Sequence, residues 1–462
     1  MISLLLNFWH ILRVVSKQQI LTYPGTIKLP SRLRILGWMI TIIVYPIGLF
    51  KLPKDDFGMR LTDCFKKLGP VYIKFGQTLS TRPDLIGVKI TNYLQSLQDK
   101  LPPFSSDIAR QIIEESFGQS ADELFSAFED IPVAAASISQ VHKARLKSGE
   151  LVAVKILRPE IHHTYNKDIK LLYILARLVA RISTKLKRLR LVAVMDVFNA
   201  TMKFELDLRL EAAAASELFD NFQNDVDIYI PKIYWQLTHE YIITTEWVDG
   251  TSIYARDKLI EQGLDLAKIA RKFAVMFFNQ VYRDGFFHAD LHPGNILVRS
   301  DGSIVLIDFG IMGRLSDKDR MAIAESLFGF LSKNYKLVAL VHLRAGYIDK
   351  NTDLDLFAQA CRAVSEPIIG YAVKNISIGK LLAQLFKITE DFGMEVQPQL
   401  LLLQKTIVVV EGVGQQLDPE INMWQLIEPW IKKWAAKNLS PEAKMIRLLK
   451  HLVIEISERL CK

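Results

Sequence analysis

The sequence predicts an α+β protein of two lobes, with a helical segment added ahead of a strand-bearing part and a helical carboxyl-terminal lobe behind it. Two runs rich in Val, Ile, Leu and Ala, residues 141–146 and Leu151–Leu157, flank Lys147-Ser148-Gly149-Glu150, which reads as a hairpin turn. Elsewhere the apolar spacing is mostly helical. Half of the 462 residues are hydrophobic, enough for more than one packed lobe and too many for a disordered chain. The expected partition is an apolar, basic leader at 1–58, a helical segment at 59–130, a strand-bearing lobe with a helical insert at 131–250 and a helical lobe at 251–462.

In the leader, residues 1–15 are apolar but lack a basic n-region and a small-residue cleavage site, so no signal peptide is expected. Residues 35–50 are sixteen uncharged positions between Arg32/Arg34 and Lys51/Lys54. They fall short of the ~18 that suggest a spanning helix, and Pro46 interrupts them. Contact with a membrane surface and burial under the core both fit. Cys64, Cys361 and Cys461 lie far apart without a CxxC, which points to a reducing compartment. The net charge of +8 suits an anionic surface or a nucleotide. No nucleic-acid motif accompanies it, so no nucleic-acid partner is expected.

Gly69-Pro70 opens a helical pattern that Pro83 closes. Within it Lys74 and Gln77, three apart, share a face beside Gly76, whose missing side chain permits close approach. Composition leaves a functional pair and a solvated surface equally open. Leu101-Pro102-Pro103-Phe104 reads as a linker, followed by helices at 106–117 and 122–128. The small-residue stretch Ala134-Ala135-Ala136-Ser137 lets backbone N–H groups approach phosphates, though a plain packed turn fits too. Lys155 stands in the apolar strand Val152-Ala153-Val154-Lys155-Ile156, where an ammonium is costly unless it is paired or snorkels from an edge.

Residues 158–195 read as helical, with a basic face at 185–190. Glu205, Asp207 and Glu211 then open an alanine-rich helix, where acids satisfy the positive end of the dipole. If Lys155 needs an acid, Glu211 is the choice. Residues 241–250 read as a buried strand running into a Gly-containing connection, the place of an interlobe hinge. Glu246 and Val248 are the positions there that are expected to meet a nucleotide. A helix over 264–283 leads to the stretch on which the chain turns.

That stretch is His288-Ala289-Asp290-Leu291-His292-Pro293-Gly294-Asn295, followed by Asp308-Phe309-Gly310. A catalytic Asp that accepts a hydroxyl proton, an Asn five positions later that holds a metal ion, and the Asp of a following DFG that binds metal and phosphates are the parts of a phosphoryl-transfer loop. Residues 304–307 read as a short buried strand delivering Asp308. After Gly310 the chain reads as almost entirely helical. A second Asp391-Phe392-Gly393 follows no strand and reads as a decoy turn.

With these residues in view, roughly residues 55–440 resemble the UbiB (aarF-domain) family of atypical kinases, related to ubiquinone biosynthesis. The motifs that carry the resemblance are Lys74-Phe75-Gly76-Gln77, Ala134-Ala135-Ala136-Ser137, Val152-Ala153-Val154-Lys155, Glu205-Leu206-Asp207, Glu211, His288-Ala289-Asp290, Asn295 and Asp308-Phe309-Gly310. The resemblance implies a protein-kinase-like two-lobed fold with an added helical segment over the site. Lys74, Gln77, Glu205 and Asp207 would guard the pocket, and the alanine-rich loop would alter nucleotide handling. ATP and Mg2+ are the implied cofactors, and ATP hydrolysis rather than protein phosphorylation the implied activity. Lys155, held by Glu211, would clamp the phosphates. Asn295 and Asp308 would hold the metal, and Asp290 would orient water or a hydroxyl.

The implied setting is the cytoplasmic face of a bacterial inner membrane, with membrane lipid or a quinone precursor and other quinone-biosynthesis enzymes as partners. A homodimer is left open. Many bacterial members end in an apolar membrane hairpin. Here charges interrupt every short apolar run of residues 451–462, so attachment is expected to be peripheral, through residues 35–50. Two other readings use the same motifs. A small-molecule kinase shares the HxDLHPGN loop, and a nucleotide-gated scaffold for quinone enzymes shares everything but turnover.

Overall fold

A computed structural model describes residues 2–20, 22, 31–45, 56–80, 86–97, 101–182, 191–292, 294–369, 377–392, 397–423, 426, 431, 432, 434 and 436. Residues 46–55 of the leader, Pro83, the basic run 185–190, Pro293, Gly393 and residues 451–462, all named above, lie outside them. The chain divides into two compact units, one of residues 1–213 and 232–247, the other of residues 214–231 and 248–462.

The first unit opens with helices α1 (Ile2–Lys17), α2 (Ser31–Val44), α3 (Phe57–Leu68), α4 (Pro70–Ser80) and α5 (Val88–Leu94). Gly69, at φ +103°, turns the chain between α3 and α4 where a side chain would be strained. α4 is the expected Gly-Pro helix and buries Val71, Tyr72, Ile73, Gly76 and Leu79. After α6 (Ser106–Phe117) and the single turn α7 (Ala121–Leu124), whose Ser120 and Glu123 form a capping box, the chain becomes β1 (Phe125–Phe128).

The helix expected over 122–128 is therefore only its first turn. Phe125 and Phe128 are buried along the edge of the next strand, with Phe128 opposite Ala144, and an available edge outweighs local helix preference. The antiparallel sheet runs in the order β1-β3-β4-β6, with β2 (Ala134–Ala135) also on β3 (Ser139–Leu146). The hairpin to β4 (Leu151–Leu157) turns at Gly149, φ +96°, as its sequence requires. Along β4, Val152, Val154 and Ile156 are fully buried with Ala109, Ile113, Phe125 and Ile242, so the alternation puts Lys155 on the opposite face. β6 (Ile242–Glu246) pairs Ile243 with Lys155. Helices α8 (Ile161–Ile182) and α9 (Leu191–Glu205) form the insert, and α10 (Leu208–Phe222) starts one turn after α9 ends.

The second unit holds a four-stranded sheet in the order β5-β10-β9-β7, built from β5 (Ile228–Tyr229), β7 (Thr251–Ser252), β9 (Ile296–Val298) and β10 (Ile304–Leu306). β8 (Phe286–His288) pairs antiparallel with β11 (Met312–Arg314). α11 (Arg256–Glu261) precedes α12 (Leu266–Phe278), which runs on through a wider turn at Asn279–Asp284 to Gly285, φ +67°, and so feeds β8. β10 is buried along its length, as expected of the strand before Asp308. Beyond β11 follow α13 (Asp317–Leu331), α14 (Tyr335–Ala345), α15 (Leu354–Ile369), α16 (Ile378–Asp391) and α17 (Pro398–Leu417).

Candidate functional site

In the first unit Lys155 lies mid-strand, and both carboxylate oxygens of Glu211 meet its Nζ at 2.8 and 2.9 Å. Glu211 stands in the first turn of α10, where the helix dipole favours a negative charge. The helix start is pinned because Leu208 N–H donates to the carbonyl of Glu240. The two side chains are 17% and 8% exposed, so the contact is drier than a surface pair. A bidentate grip of this kind fixes the position of the ammonium.

Lys74 of α4 meets Glu205 at the end of α9, Nζ to Oε2 2.9 Å, again with little exposure. Gln77, on the same helix face, donates its Nε2 to the carbonyl of Leu97 at 3.2 Å. A Cβ on Gly76 would lie 2.4 Å from Leu97 Cδ1 and 2.6 Å from the Phe65 ring, so the close approach is by side chains rather than by another backbone. Asp207 turns to Arg209, accepting from its backbone N at 3.1 Å and from Nε and Nη2 at 2.9 and 2.8 Å. Those side-chain bonds hold the Asp207 carboxyl below its ordinary range.

Ala134 and Ala135 form β2, opposite Val141 and Gln140, and Ser137 is fully buried. The carbonyl of Ala136 accepts from Arg158 Nη2 at 2.8 Å and Nε at 3.2 Å, while Arg158 also reaches the carbonyl of Pro102 at 3.0 Å. At the end of β6 Glu246 N–H donates to the Lys232 carbonyl at 2.8 Å, and its side-chain Oε2 accepts from Lys232 N–H at 3.2 Å. In the other unit Val248 is half-buried.

There the catalytic-loop residues gather around His288, which is fully buried. Its Nε2 lies 2.7 Å from the carbonyl of Asp308, an acceptor, so Nε2 carries the proton. Nδ1 is then the acceptor for the backbone N–H of Asp290 at 3.2 Å. Burial lowers the His288 pKa, in keeping with this neutral tautomer. One imidazole thus ties the Asp290 loop to the DFG turn, and Gln280 Oε1 secures it by accepting from His288 N at 2.7 Å.

Asn295 Nδ2 donates to the Asp290 carbonyl at 3.0 Å, which leaves Oδ1 as the amide atom suited to a cation. Ile307 N–H donates to the Asn295 carbonyl at 3.0 Å, linking the loop to the strand end before Asp308. Asp308 itself sits at φ +62°, a conformation that costs a non-glycine residue about 1–2 kcal/mol. Its exposed carboxylate accepts from Gly310 N–H at 3.3 Å, and the following Phe309 is buried. One amide oxygen and one carboxylate are hard donors of the kind Mg2+ takes, alongside phosphate oxygens, so the residues fit that ion. Sequence reasoning gave no role to Lys405 of α17, whose Nζ is 3.9 Å from Asp290 Oδ1, or to Thr406 beside it, whose hydroxyl faces the Ala289 carbonyl at 3.4 Å.

A model of the ABC1 atypical kinase-like domain matches residues 96–342, and one of the UbiB helical domain matches residues 361–422. A probable protein kinase UbiB of Azotobacter vinelandii is 41% identical over 424 residues, covering 91% of this chain and 78% of its own length. This chain belongs to the UbiB family of atypical kinases. A second UbiB relative, from Marinobacter nauticus, is 40% identical over 450 residues, covering 96% of this chain and 81% of its own length. Among solved structures, Rv3197 of Mycobacterium tuberculosis, determined in complex with erythromycin, matches at a TM-score of 0.55 and 25% identity over 76% of this chain and 90% of that one. The fold is accordingly kinase-like, with a five-stranded sheet in the first unit and a helical carboxyl-terminal region. Lys74 and Gln77 precede the matched ABC1 atypical kinase-like domain, and Lys405 lies inside the matched UbiB helical domain.

Proposed function

We propose that this chain is an ATP-using atypical kinase that hydrolyses ATP rather than phosphorylating proteins, and that it serves ubiquinone biosynthesis from the surface of a membrane. The observation that carries the reading is the two-oxygen grip of Glu211 on Lys155. Nothing in strand packing calls for an ammonium amid apolar neighbours, whereas a phosphate-binding role does.

In this reading Lys155 neutralises the α/β-phosphates, held in place by Glu211. Asn295 Oδ1 and the Asp308 carboxylate would hold Mg2+, which when bound neutralises charge on the transferred phosphoryl group. Asp290 accepts the proton of the attacking hydroxyl or water at a carboxylate oxygen, and His288 keeps that Asp in place through its backbone N–H. Lys74 is paired with Glu205, and Gln77 donates to the Leu97 carbonyl, which supports their role as a closed gate and favours water as acceptor. The link to quinone synthesis and the cytoplasmic face of the inner membrane are carried over from the family resemblance.

The test is phosphate release by purified protein with Mg2+ and ATP, with and without liposomes and a phenolic quinone precursor. Release that disappears in Asp308→Asn supports the proposal. Phosphate appearing on the phenol would instead make the protein a small-molecule kinase. Nucleotide binding without turnover under every condition would leave only the scaffold.

A further inference from the structure

α2 is built the wrong way round for a helix of a soluble protein. Gly37 and Thr41 are buried, and the Thr41 hydroxyl donates to the Gly37 carbonyl at 2.8 Å. The large apolar side chains face out instead. Ile35, Trp38, Met39, Ile42 and Ile43 are 60, 43, 50, 51 and 71% exposed. Their spacing of i, i+3, i+4, i+7 and i+8 places them on one arc of about 140°. Small residues turned inward and a continuous apolar stripe turned outward is the pattern of a surface made to be covered.

The charge of the sequence that carries the stripe says by what. Residues 1–54 contain seven Lys and Arg and no Asp or Glu, in a chain whose net charge is +8. Such a segment is complementary to an anionic surface and repelled by another copy of itself. Trp9 of the neighbouring helix α1 is also 49% exposed, and tryptophan is the side chain that settles at the boundary between headgroup and hydrocarbon. Fourteen residues of helix reach only about 21 Å, against a hydrocarbon core of about 30 Å, and among the described residues no helix is long and apolar enough to cross a membrane.

We propose that the exposed face of α2 docks onto an anionic lipid bilayer, lying in the headgroup boundary without crossing it. This rests on the membrane placement in the proposed function and supplies its attachment site. Apolar side chains give the depth of insertion, and the cations of residues 1–54 select lipid of negative charge.

The experiment is flotation of the full chain, without nucleotide, on vesicles of phosphatidylcholine alone or mixed with phosphatidylglycerol. The wild type floats with the mixed vesicles and much less with the neutral ones. Trp38→Ser combined with Ile42→Ser lowers the floated fraction about tenfold, whereas Val226→Ser, at an apolar side chain 94% exposed elsewhere, leaves it unchanged. Because these positions are exposed, an unchanged melting temperature separates lost docking from lost folding. A wild type that fails to float on either vesicle overturns the proposal. So does a double variant that floats like wild type, or one whose only change is dissociation of a dimer seen by light scattering, since a second copy would then cover the face. Phosphate release measured without vesicles on the same preparations reports separately on the ATP reading.

Discussion

Lys155 and Lys405 each stand beside a carboxylate, and their surroundings give the two contacts different weights. The Lys155–Glu211 pair is 17% and 8% exposed with two short bonds, whereas Lys405 and Asp290 are 44% and 39% exposed and 3.9 Å apart. Removing one charge of a buried pair costs up to 3–5 kcal/mol, reduced here to about 1–3 because the lysine still reaches water. Glu211→Gln should therefore lower unfolding stability by about 1–3 kcal/mol in urea titrations and raise the KM for ATP. Lys405→Ala should leave stability within about 0.5 kcal/mol, yet reduce turnover at unchanged KM for ATP, because a cation beside Asp290 acts on the reacting centre. Equal kinetics in Lys405→Ala and wild type would make that contact incidental.

The spacing of Asp290, Asn295 and Asp308 was legible because it is local. Glu211, 56 residues from Lys155, was one of three acids that local rules could not rank, and the choice rested on chemistry alone. Arg158, Arg209 and Lys405 sent no signal, since cations look alike in sequence until the chain that faces them is folded.

Elements were readable in proportion to how local their causes are. The β3–β4 hairpin follows from alternation and a glycine with positive φ, and α4 from Gly-Pro and an apolar stripe. β1 was misread as helix because its reason to be a strand is the edge of β3, supplied from outside it. Residues 35–50 were left undecided between burial and a membrane surface, and the exposed Ile35, Trp38, Met39, Ile42 and Ile43 speak against burial of their described part.

α14 shows an element whose packing sets a pH response. His342 is buried against Tyr347 and Phe357, with Nδ1 2.9 Å from the Val338 carbonyl, and burial pushes its pKa from 6.5 down to about 4. Above pH 6.5 the imidazole is neutral in both folded and unfolded chains, so it adds no pH dependence there. Between 6.5 and about 4 the unfolded chain binds a proton that the folded chain refuses, and stability falls as pH falls. The difference amounts to about 2–3 kcal/mol across that window. His342→Gln keeps an N–H for Val338 and has no proton to gain, so its acid limb in thermal or urea unfolding should be flatter by about that amount. A limb parallel to wild type would remove His342 from the cause. His288, shifted in the same direction, adds to the slope in both proteins.

At the scale of the whole molecule, the residues assigned to phosphoryl transfer are shared between the two units, Lys155 and Glu211 in one and Asp290, Asn295 and Asp308 in the other. Binding to the folded chain alone stabilises it by about 2.7 kcal/mol when ATP is present at 100 times its Kd. The assigned roles then make three variants behave differently in a thermal-shift experiment. Lys155→Ala should lose the stabilisation by ATP with or without Mg2+, because the ammonium meets the phosphates directly. Asp308→Asn should lose only the part that Mg2+ adds, because its carboxylate meets the metal. Asp290→Asn should keep the full stabilisation while losing phosphate release, because that Asp acts on the attacking oxygen and not on the bound nucleotide. An Asp290→Asn protein that releases phosphate at the wild-type rate would remove Asp290 from the chemistry. If all three variants melted like wild type with Mg2+ and ATP, the nucleotide would be held elsewhere in the chain.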